Sequence, residues 1–306
     1  MKRPKNKPLP GSAACETVGD WLALAEKLYA RHRVALGQVA ASAHDEALYL
    51  LLRTLDLPLG SPAGVLELKP GATQRRTLES VLRRRILNRV PAAYLTREAF
   101  LGDLRFYVDE RVIIPRSYFL EIIPTQLDRW VRPADVRRVA DVCTGSGCLA
   151  ILLAKHFPEA RVDALDLSAD ALDVARINVA QFRLQRRIAL RRSDVFDAVP
   201  PAKYDVILSN PPYEPSAHVD RQEPEFQAEP RLAHDGGRDG LVVIRKLLRQ
   251  SATRLVPGGV VVIEVGGLRT AVDREFRGLE PEWLTTGDGS NCVALFRAAR
   301  LAATAS

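Results

Sequence analysis

Four cysteines in 306 residues, at positions 15, 143, 148 and 292, are too few and too scattered for a disulfide framework. Cys143 and Cys148 lack the spacing of zinc ligands, and no histidine cluster accompanies them, so no metal is expected. No apolar run approaches the roughly 18 residues of a membrane-spanning helix, so no membrane partner is expected. The opening MKRPKNKPLPG is basic but proline-broken, poor in serine and followed by no apolar block. It reads as neither a secretory nor a mitochondrial signal, and a reducing cytoplasm is the expected compartment. Internal repeats and low-complexity tracts are lacking as well. What remains is a chain 47% hydrophobic with mixed charge, the composition of a soluble globular protein long enough for two domains.

The charge is unevenly spread. Met1–Arg97 holds 16 Lys and Arg against 8 Asp and Glu, whereas the rest holds 28 against 29. The whole basic excess therefore lies in the first third, much of it in QRRTLESVLRRRILNRVP and the leading tail. Such a face either binds phosphate backbones or is simply solvated.

Residues 1–12 read as a flexible basic tail. Residues 13–97 read as a small all-helical domain: Trp21, Leu24 and Leu28, then Ala47, Leu48, Leu51, Leu52 and Leu55, recur at helical spacing, and a further helix is predicted from about Thr73 to Asn88. Residues 98–115 change period; FLGDLRFYVDERVIIP has two β-rich runs around DER and predicts a linking β-hairpin. From 116 to 306 strands and helices alternate, which predicts an α/β fold, a parallel sheet with helices on both faces. The last apolar run, NCVALFRA, is expected at the sheet edge.

Chemistry gathers at the strand ends. The first strand runs into DVCTGSGC, Asp141–Cys148, where Gly145 and Gly147 permit a tight turn and close approach of a ligand beside a helix N-terminus. The turn lacks the third glycine of a dinucleotide fingerprint and the lysine of a P-loop, so a ligand without a phosphate chain is preferred. Asp166 ends the second strand in ALDLS, 25 positions after Asp141, where a carboxylate can accept both hydroxyls of a ribose; Ser168 is the better helix cap. Asp194 follows the third strand and is positioned for an adenine edge. The fourth strand runs into Asn210-Pro211-Pro212-Tyr213. Neither proline has an N–H, so the loop offers acceptors without competing donors: the Asn210 side-chain oxygen and the Pro211 carbonyl. Two such acceptors suit a substrate NH2 group, with Tyr213 as a flat apolar wall. Polar groups at consecutive strand ends mark the crevice where open α/β sheets bind ligands.

At this point DVCTGSGC, ALDLS, SDVF and VILSNPPY resemble the motifs of S-adenosylmethionine-dependent amino-methyltransferases. More narrowly, FYVDERVIIPRS, NPPY, EFQAEPRLAHDGGRDGL and VVVIEVG are similar to the HemK/PrmB family of protein glutamine methyltransferases, over nearly the whole chain. DVCTGSGC, IIPRSYFLEI and RVPAAYLT look more like the branch that modifies large-subunit ribosomal protein L-three than the release-factor branch. RSYFLEI departs from that branch's usual serine-proline near Ser117.

The resemblance implies a Rossmann-like methyltransferase domain over 116–306 and a substrate-recognition role for the helical domain. It implies S-adenosylmethionine as methyl donor, held by Asp141, Cys143, Thr144, Gly145, Ser146, Gly147, Asp166, Leu167, Asp194, Val195 and Asn210. Asn210, Pro211, Pro212 and Tyr213 would act on a glutamine amide of a ribosomal protein, and the basic first third would be available to rRNA. The acidic start of the segment EPEFQAEPRLAHDGG would suit a basic protein partner. Rival readings are a release-factor glutamine methyltransferase, a methyltransferase of exocyclic amines on nucleic-acid bases, and an RNA-binding assembly factor that holds the donor without catalysis.

Overall fold

The computed structural model describes residues 8–303. They form two compact units: the chain up to Glu98 together with Glu223–Ala228, and Ala99–Gln222 together with the chain from Glu229.

The first unit is helical: α1 (Val18–His32), α2 (Ala43–Thr54), α3 (Ala72–Ile86) and the short α4 (Ala92–Thr96). A capping box starts α1, with Thr17 Oγ1 accepting from Asp20 N–H at 3.1 Å and the Asp20 carboxylate accepting from Thr17 N–H at 2.8 Å. Ser42 caps α2 by accepting from Asp45 N–H. Helical spacing then puts Trp21, Leu22, Ala25, Leu28 and Tyr29 of α1 on one buried stripe, against Leu50 and Leu51 of α2 and Leu78, Leu82 and Ile86 of α3. The tail expectation for residues 1–7 lies outside the described residues. Leu9, expected in that tail, is instead buried in this core, with its N–H on Glu79 Oε1 at 2.9 Å.

A charge also lies in this core. Arg85 is 0% exposed. Its Nε donates to Glu46 Oε1 at 2.6 Å, Nη1 to Glu225 Oε1 at 3.3 Å and Nη2 to the Ala35 carbonyl at 2.7 Å. Glu225 comes from the returning segment Glu223–Ala228 and also accepts from Arg89 Nη1 at 2.8 Å and Ala35 N–H at 3.2 Å. Hydrophobic patterning has no means of assigning a six-residue segment 125 residues downstream to the helical unit; buried charge pairing does so.

The second unit opens with strands β1 (Glu98–Leu101) and β2 (Leu104–Tyr107). The hairpin turns at Gly102–Asp103, not at the expected DER. Glycine at the first central position of a two-residue turn, here with φ +58°, matches the twist of the strands. Asp109 closes a separate turn by accepting from the Arg111 N–H and guanidinium, so the DER segment leaves the ladder.

After α5 (Phe119–Thr125) come β3 (Arg138–Val142), α6 (Cys148–His156), β4 (Arg161–Asp166), α7 (Ala169–Gln181), β5 (Ile188–Arg192), β6 (Tyr204–Ser209), the single turn α8 (Ser216–Val219), then, after the single turn α9 (Pro224–Gln227) that belongs to the first unit, α10 (Val242–Ser251), β7 (Leu255–Glu264), α11 (Arg269–Glu275), β8 (Glu282–Leu284), β9 (Val293–Arg297) and α12 (Ala298–Ala303). The seven-stranded sheet has the order β5-β4-β3-β6-β7-β9-β8. Neighbours from β5 through β7 are parallel; β9 lies antiparallel to β7 and β8. The expected edge strand is thus one place inward, and the edge is Glu282–Leu284, three residues too short to show a period.

Alternation along each strand feeds two cores. Val139, Val206, Leu208, Val260 and Val262 face Leu149, Leu153 and Phe119, while Ala140, Val142, Ile207, Val261 and Ile263 face Ile244, Leu247 and Val272. This is the α/β, Rossmann-like architecture expected. Strand order reverses between β3 and β6, which opens a crevice outside their carboxyl ends.

Replacing Glu225 by Ala removes the carboxylate from Arg89, which keeps only its bonds to the His32 and Arg33 carbonyls, and leaves Arg85 with Glu46 and the Ala35 carbonyl. The expected cost is about 3–5 kcal/mol. Hydrogen exchange should report it as lost protection in α3 with Val260–Ile263 unaffected; equal protection of α3 in both proteins would show the pairing to be energetically idle.

Candidate active site

The turn after β3 folds tightly because Cys143, Gly145 and Gly147 all have left-handed backbone, with φ of +62°, +54° and +79°. Thr144 N–H bonds the Leu165 carbonyl at 2.9 Å, and Gly147 N–H bonds the Thr144 carbonyl at 2.8 Å. A Cβ on Gly147 would stand 3.1 Å from that of Ala175, so α7 also fixes the turn. Asn178 of α7, fully buried, donates to the Ser146 carbonyl at 2.9 Å and joins the turn to Tyr107 at the end of β2.

Two carboxylates stand beside this turn. Asp141 is buried; Thr144 Oγ1 donates to its Oδ2 at 2.5 Å, and among the described residues Oδ1 has no hydrogen-bond partner. Burial pushes its carboxyl up to about 7 despite the Thr144 bond. Asp166 accepts from Gly145 N–H at its Oδ2 and from Ser168 N–H at its Oδ1, both at 2.8 Å, and burial raises its pKa as well. Ser168 caps α7 through Ala171 N–H, as expected, leaving Asp166 to brace the turn. Leu167 is an exposed apolar side chain next to it. Asp194 lies beyond β5 in an ion pair with Lys246 at 2.7 Å, followed by buried Val195, whose φ is +55°.

Across the switch point, Ser209 Oγ donates to the Val142 carbonyl at 2.6 Å and ties the end of β6 to the end of β3. Asn210, Pro211, Pro212 and Tyr213 follow. Ser209 pairs with Ile263 in the β6–β7 register, so the next residues, Asn210 and Glu264, emerge side by side. Asn210 Nδ2 donates to Glu264 Oε1 at 3.2 Å. Among the described residues no donor reaches Asn210 Oδ1 or the Pro211 carbonyl.

The rest of the loop is gripped by glycines. A Cβ on Gly240 would lie 2.2 Å from the Tyr213 carbonyl, one on Gly266 would lie 2.4 Å from the Tyr213 ring, and one on Gly236 would lie 2.7 Å from the Pro212 carbonyl. Glu214 N–H bonds the His234 carbonyl and Gly236 N–H the Glu214 carbonyl, each at 2.9 Å. The segment DGGRDG therefore forms the seat of the Asn-Pro-Pro-Tyr loop.

Beside the seat, Arg116 grips both oxygens of Glu229 at 2.7 Å, His234 Nε2 lies 2.7 Å from Oε2, and Ile114 N–H reaches Oε1 at 3.2 Å. Burial opposes charge on Glu229, yet Arg116 and His234 hold its carboxyl down to about 2. The acidity of EPEFQAEPRLAHDGG was expected to serve a basic partner; Glu225 and Glu229 are instead buried in internal pairs, leaving Glu223 exposed. Glu264, Gly236, Gly240, Gly266 and Arg116 were not singled out from the sequence, although a glutamate ending the run VVVIE was a visible signal.

An open parallel sheet with this turn, strand-tip aspartate and loop defines a methyltransferase, and the family model for the methyltransferase small domain matches residues 120–237. A protein of Bordetella pertussis named ribosomal protein uL3 glutamine methyltransferase is 43% identical over 281 residues, 92% of this chain and 94% of its own. A protein of the same name from Burkholderia pseudomallei is 42% identical over 298 residues, covering 95% and 97%. The chain belongs to the ribosomal protein uL3 glutamine methyltransferase family. Among solved structures, a methyltransferase from Pyrococcus furiosus aligns with 65% of this chain and 90% of its own, at TM-score 0.47 and 20% identity.

Gly240→Ala should dislodge Tyr213 without touching the turn after β3. Methyl transfer is expected to fall at least tenfold, about 1.4 kcal/mol of barrier, with donor affinity kept in calorimetry. A variant with full turnover would mean that the seat does not shape the site.

Proposed function

We propose that this protein transfers a methyl group from S-adenosylmethionine to the side-chain amide nitrogen of a glutamine in ribosomal protein uL3. The observation that carries the reading is a pair of oxygens at the switch point of the sheet, Asn210 Oδ1 and the Pro211 carbonyl, that no donor among the described residues reaches. The names of relatives matching over nine-tenths of the chain support the substrate.

The residues around the first turn suit the donor. Among the described residues the buried Asp141 Oδ1 has no hydrogen-bond partner, and only Thr144 Oγ1 and the Ala150 N–H act on the carboxyl, which leaves it acceptor capacity for a ligand's donor group. Asp166 keeps unused lone pairs for ribose hydroxyls, since each of its oxygens accepts one N–H. Cys143, Thr144, Gly145, Ser146 and Gly147 bring backbone close to the ligand, and Leu167, Asp194 and Val195 are assigned to the base. When bound, S-adenosylmethionine supplies a methyl group on a positively charged sulfonium.

The chain's own part is orientation. A glutamine amide nitrogen is a poor nucleophile because its lone pair is shared with the carbonyl. Asn210 Oδ1 and the Pro211 carbonyl each accept one amide hydrogen and fix the nitrogen in line for attack; alignment of this kind is worth roughly 7–11 kcal/mol in favourable cases. The same bonds raise electron density on nitrogen and disperse the positive charge it gains; the pair of the broken C–S bond stays on sulfur as a neutral thioether, and one of the two held hydrogens leaves as a proton to solvent, giving the neutral N-methyl amide. Pro212 stiffens the loop, Tyr213 is assigned as a flat wall, and excluding water would help as charge spreads.

The helical unit is assigned to substrate recognition, with the exposed Arg75, Arg76 and Arg84 of α3 offered to rRNA on an assembling particle. Work on a ribosomal protein would place the enzyme in the cytoplasm. Changing Arg75 and Arg76 to Glu should slow methylation of particle-bound uL3 and spare free uL3; equal rates on the two substrates would remove the rRNA role.

Asn210→Ala should retain donor affinity and lose turnover by orders of magnitude, while Asp166→Ala should weaken donor binding in calorimetry. Extract from a strain lacking the protein, incubated with labelled donor, should yield a labelled uL3 glutamine by mass spectrometry. Label in RNA instead would favour base methylation. Label in a release factor would assign the enzyme to the other branch.

A further inference from the structure

The assigned role of Asn210 requires its amide to face one way: an oxygen turned to the substrate accepts hydrogens, whereas an NH2 turned there would oppose the substrate's own donors. An amide side chain can present either end unless a neighbour decides. The neighbour is Glu264, the last residue of β7, 3% exposed and beside Asn210 by strand register. Its Oε2 accepts from Ser117 Oγ at 2.6 Å and Tyr118 N–H at 3.2 Å, and its Oε1 accepts from Asn210 Nδ2 at 3.2 Å. Ser117 is held in turn, accepting Phe119 N–H at 3.2 Å.

We propose that Glu264 is a positioning residue for methyl transfer: anchored by Ser117 and Tyr118, its carboxylate captures the NH2 of Asn210 and so holds the Asn210 oxygen toward the substrate amide. This rests on the reading of Asn210 given above. A carboxylate performs the task because it has no hydrogens. All three groups facing it are donors, and an acceptor-only side chain satisfies them together.

The isosteric amide makes the wrong choice. In Glu264→Gln the Tyr118 N–H, which can only donate, claims the oxygen of the new amide. The new NH2 then faces Asn210, which must turn its own oxygen inward and its NH2 to the substrate. A carboxylic acid does the same when its proton sits on Oε1. Burial pushes Glu264 up to about 7, against the bonds from Ser117, Tyr118 and Asn210 and the charge of Arg116. The other titratable groups facing it are Tyr213 and Cys292. Burial raises both above their ordinary values, so neither titrates near neutrality. The raised pKa places the competent carboxylate form above about pH 7 and the protonated form below it. Turnover should therefore fall with decreasing pH through that range.

The test measures kcat at saturating donor, donor affinity by calorimetry and thermal unfolding for Glu264→Gln and Asn210→Ala, alone and combined. The expected result is a loss of kcat of at least about 100-fold in Glu264→Gln, with donor affinity and melting temperature kept, a flat pH profile, and a double variant no slower than Asn210→Ala. Near-normal turnover in Glu264→Gln beside an inactive Asn210→Ala would overturn the positioning role alone. Near-normal turnover in Asn210→Ala would overturn the assigned function of the loop instead. Should Glu264→Gln fail to fold, Ser117→Ala decides. Losing one donor to the carboxylate should move the pH limb upward, and an unmoved limb would overturn the proposal.

Discussion

Two adjacent prolines leave the loop after β6 with carbonyls and almost no N–H groups, so it has little means of holding itself in place. Much of the second unit answers that deficit. Three glycines, at 236, 240 and 266, allow backbone from two other segments to press against it more closely than any side chain would permit. Ser209 ties its start to β3, and the bridge between Glu214 and Asp235 ties its end. The loop is held in place from outside, and the two oxygens that no donor among the described residues reaches are the remainder once that grip is complete.

The buried carboxylates divide into two kinds by what surrounds them. Glu229 sits against the Arg116 guanidinium and His234 and stays ionised far below neutrality, which is structural work. Asp141 and Glu264 are buried beside hydroxyls, amides and backbone with no cation bonded to them, and burial lifts both toward neutrality. Desolvation without a partner charge costs a protein stability and is found where a ligand or a substrate-facing group needs it. Both lie at carboxyl ends of strands in the sheet, β3 and β7, beside the crevice the strand reversal opens.

Buried charge also decides where the chain is divided. The segment around Glu225 lies between parts of the methyltransferase sheet in sequence, yet its carboxylate is paired to Arg85 and Arg89 of the helical unit. The returning six residues, Glu223–Ala228, carry no period of their own.

Alternating apolar runs and helical stripes were enough to read the α/β architecture and the helical unit, because both faces of a parallel sheet and one face of each helix must be apolar to be buried. The Asn-Pro-Pro-Tyr loop and the glycine turn were legible for a similar reason: proline and glycine announce their backbone consequences locally. The hairpin turns at Gly102–Asp103 and not at the charged DER because the left-handed backbone of Gly102, rather than polarity, sets the turn. Glu264, the glycine seat and the pairing of Glu225 were decided by tertiary structure. Each depends on which atoms a strand register or a chain return brings within about 3 Å, and a sequence without its fold contains no such distances.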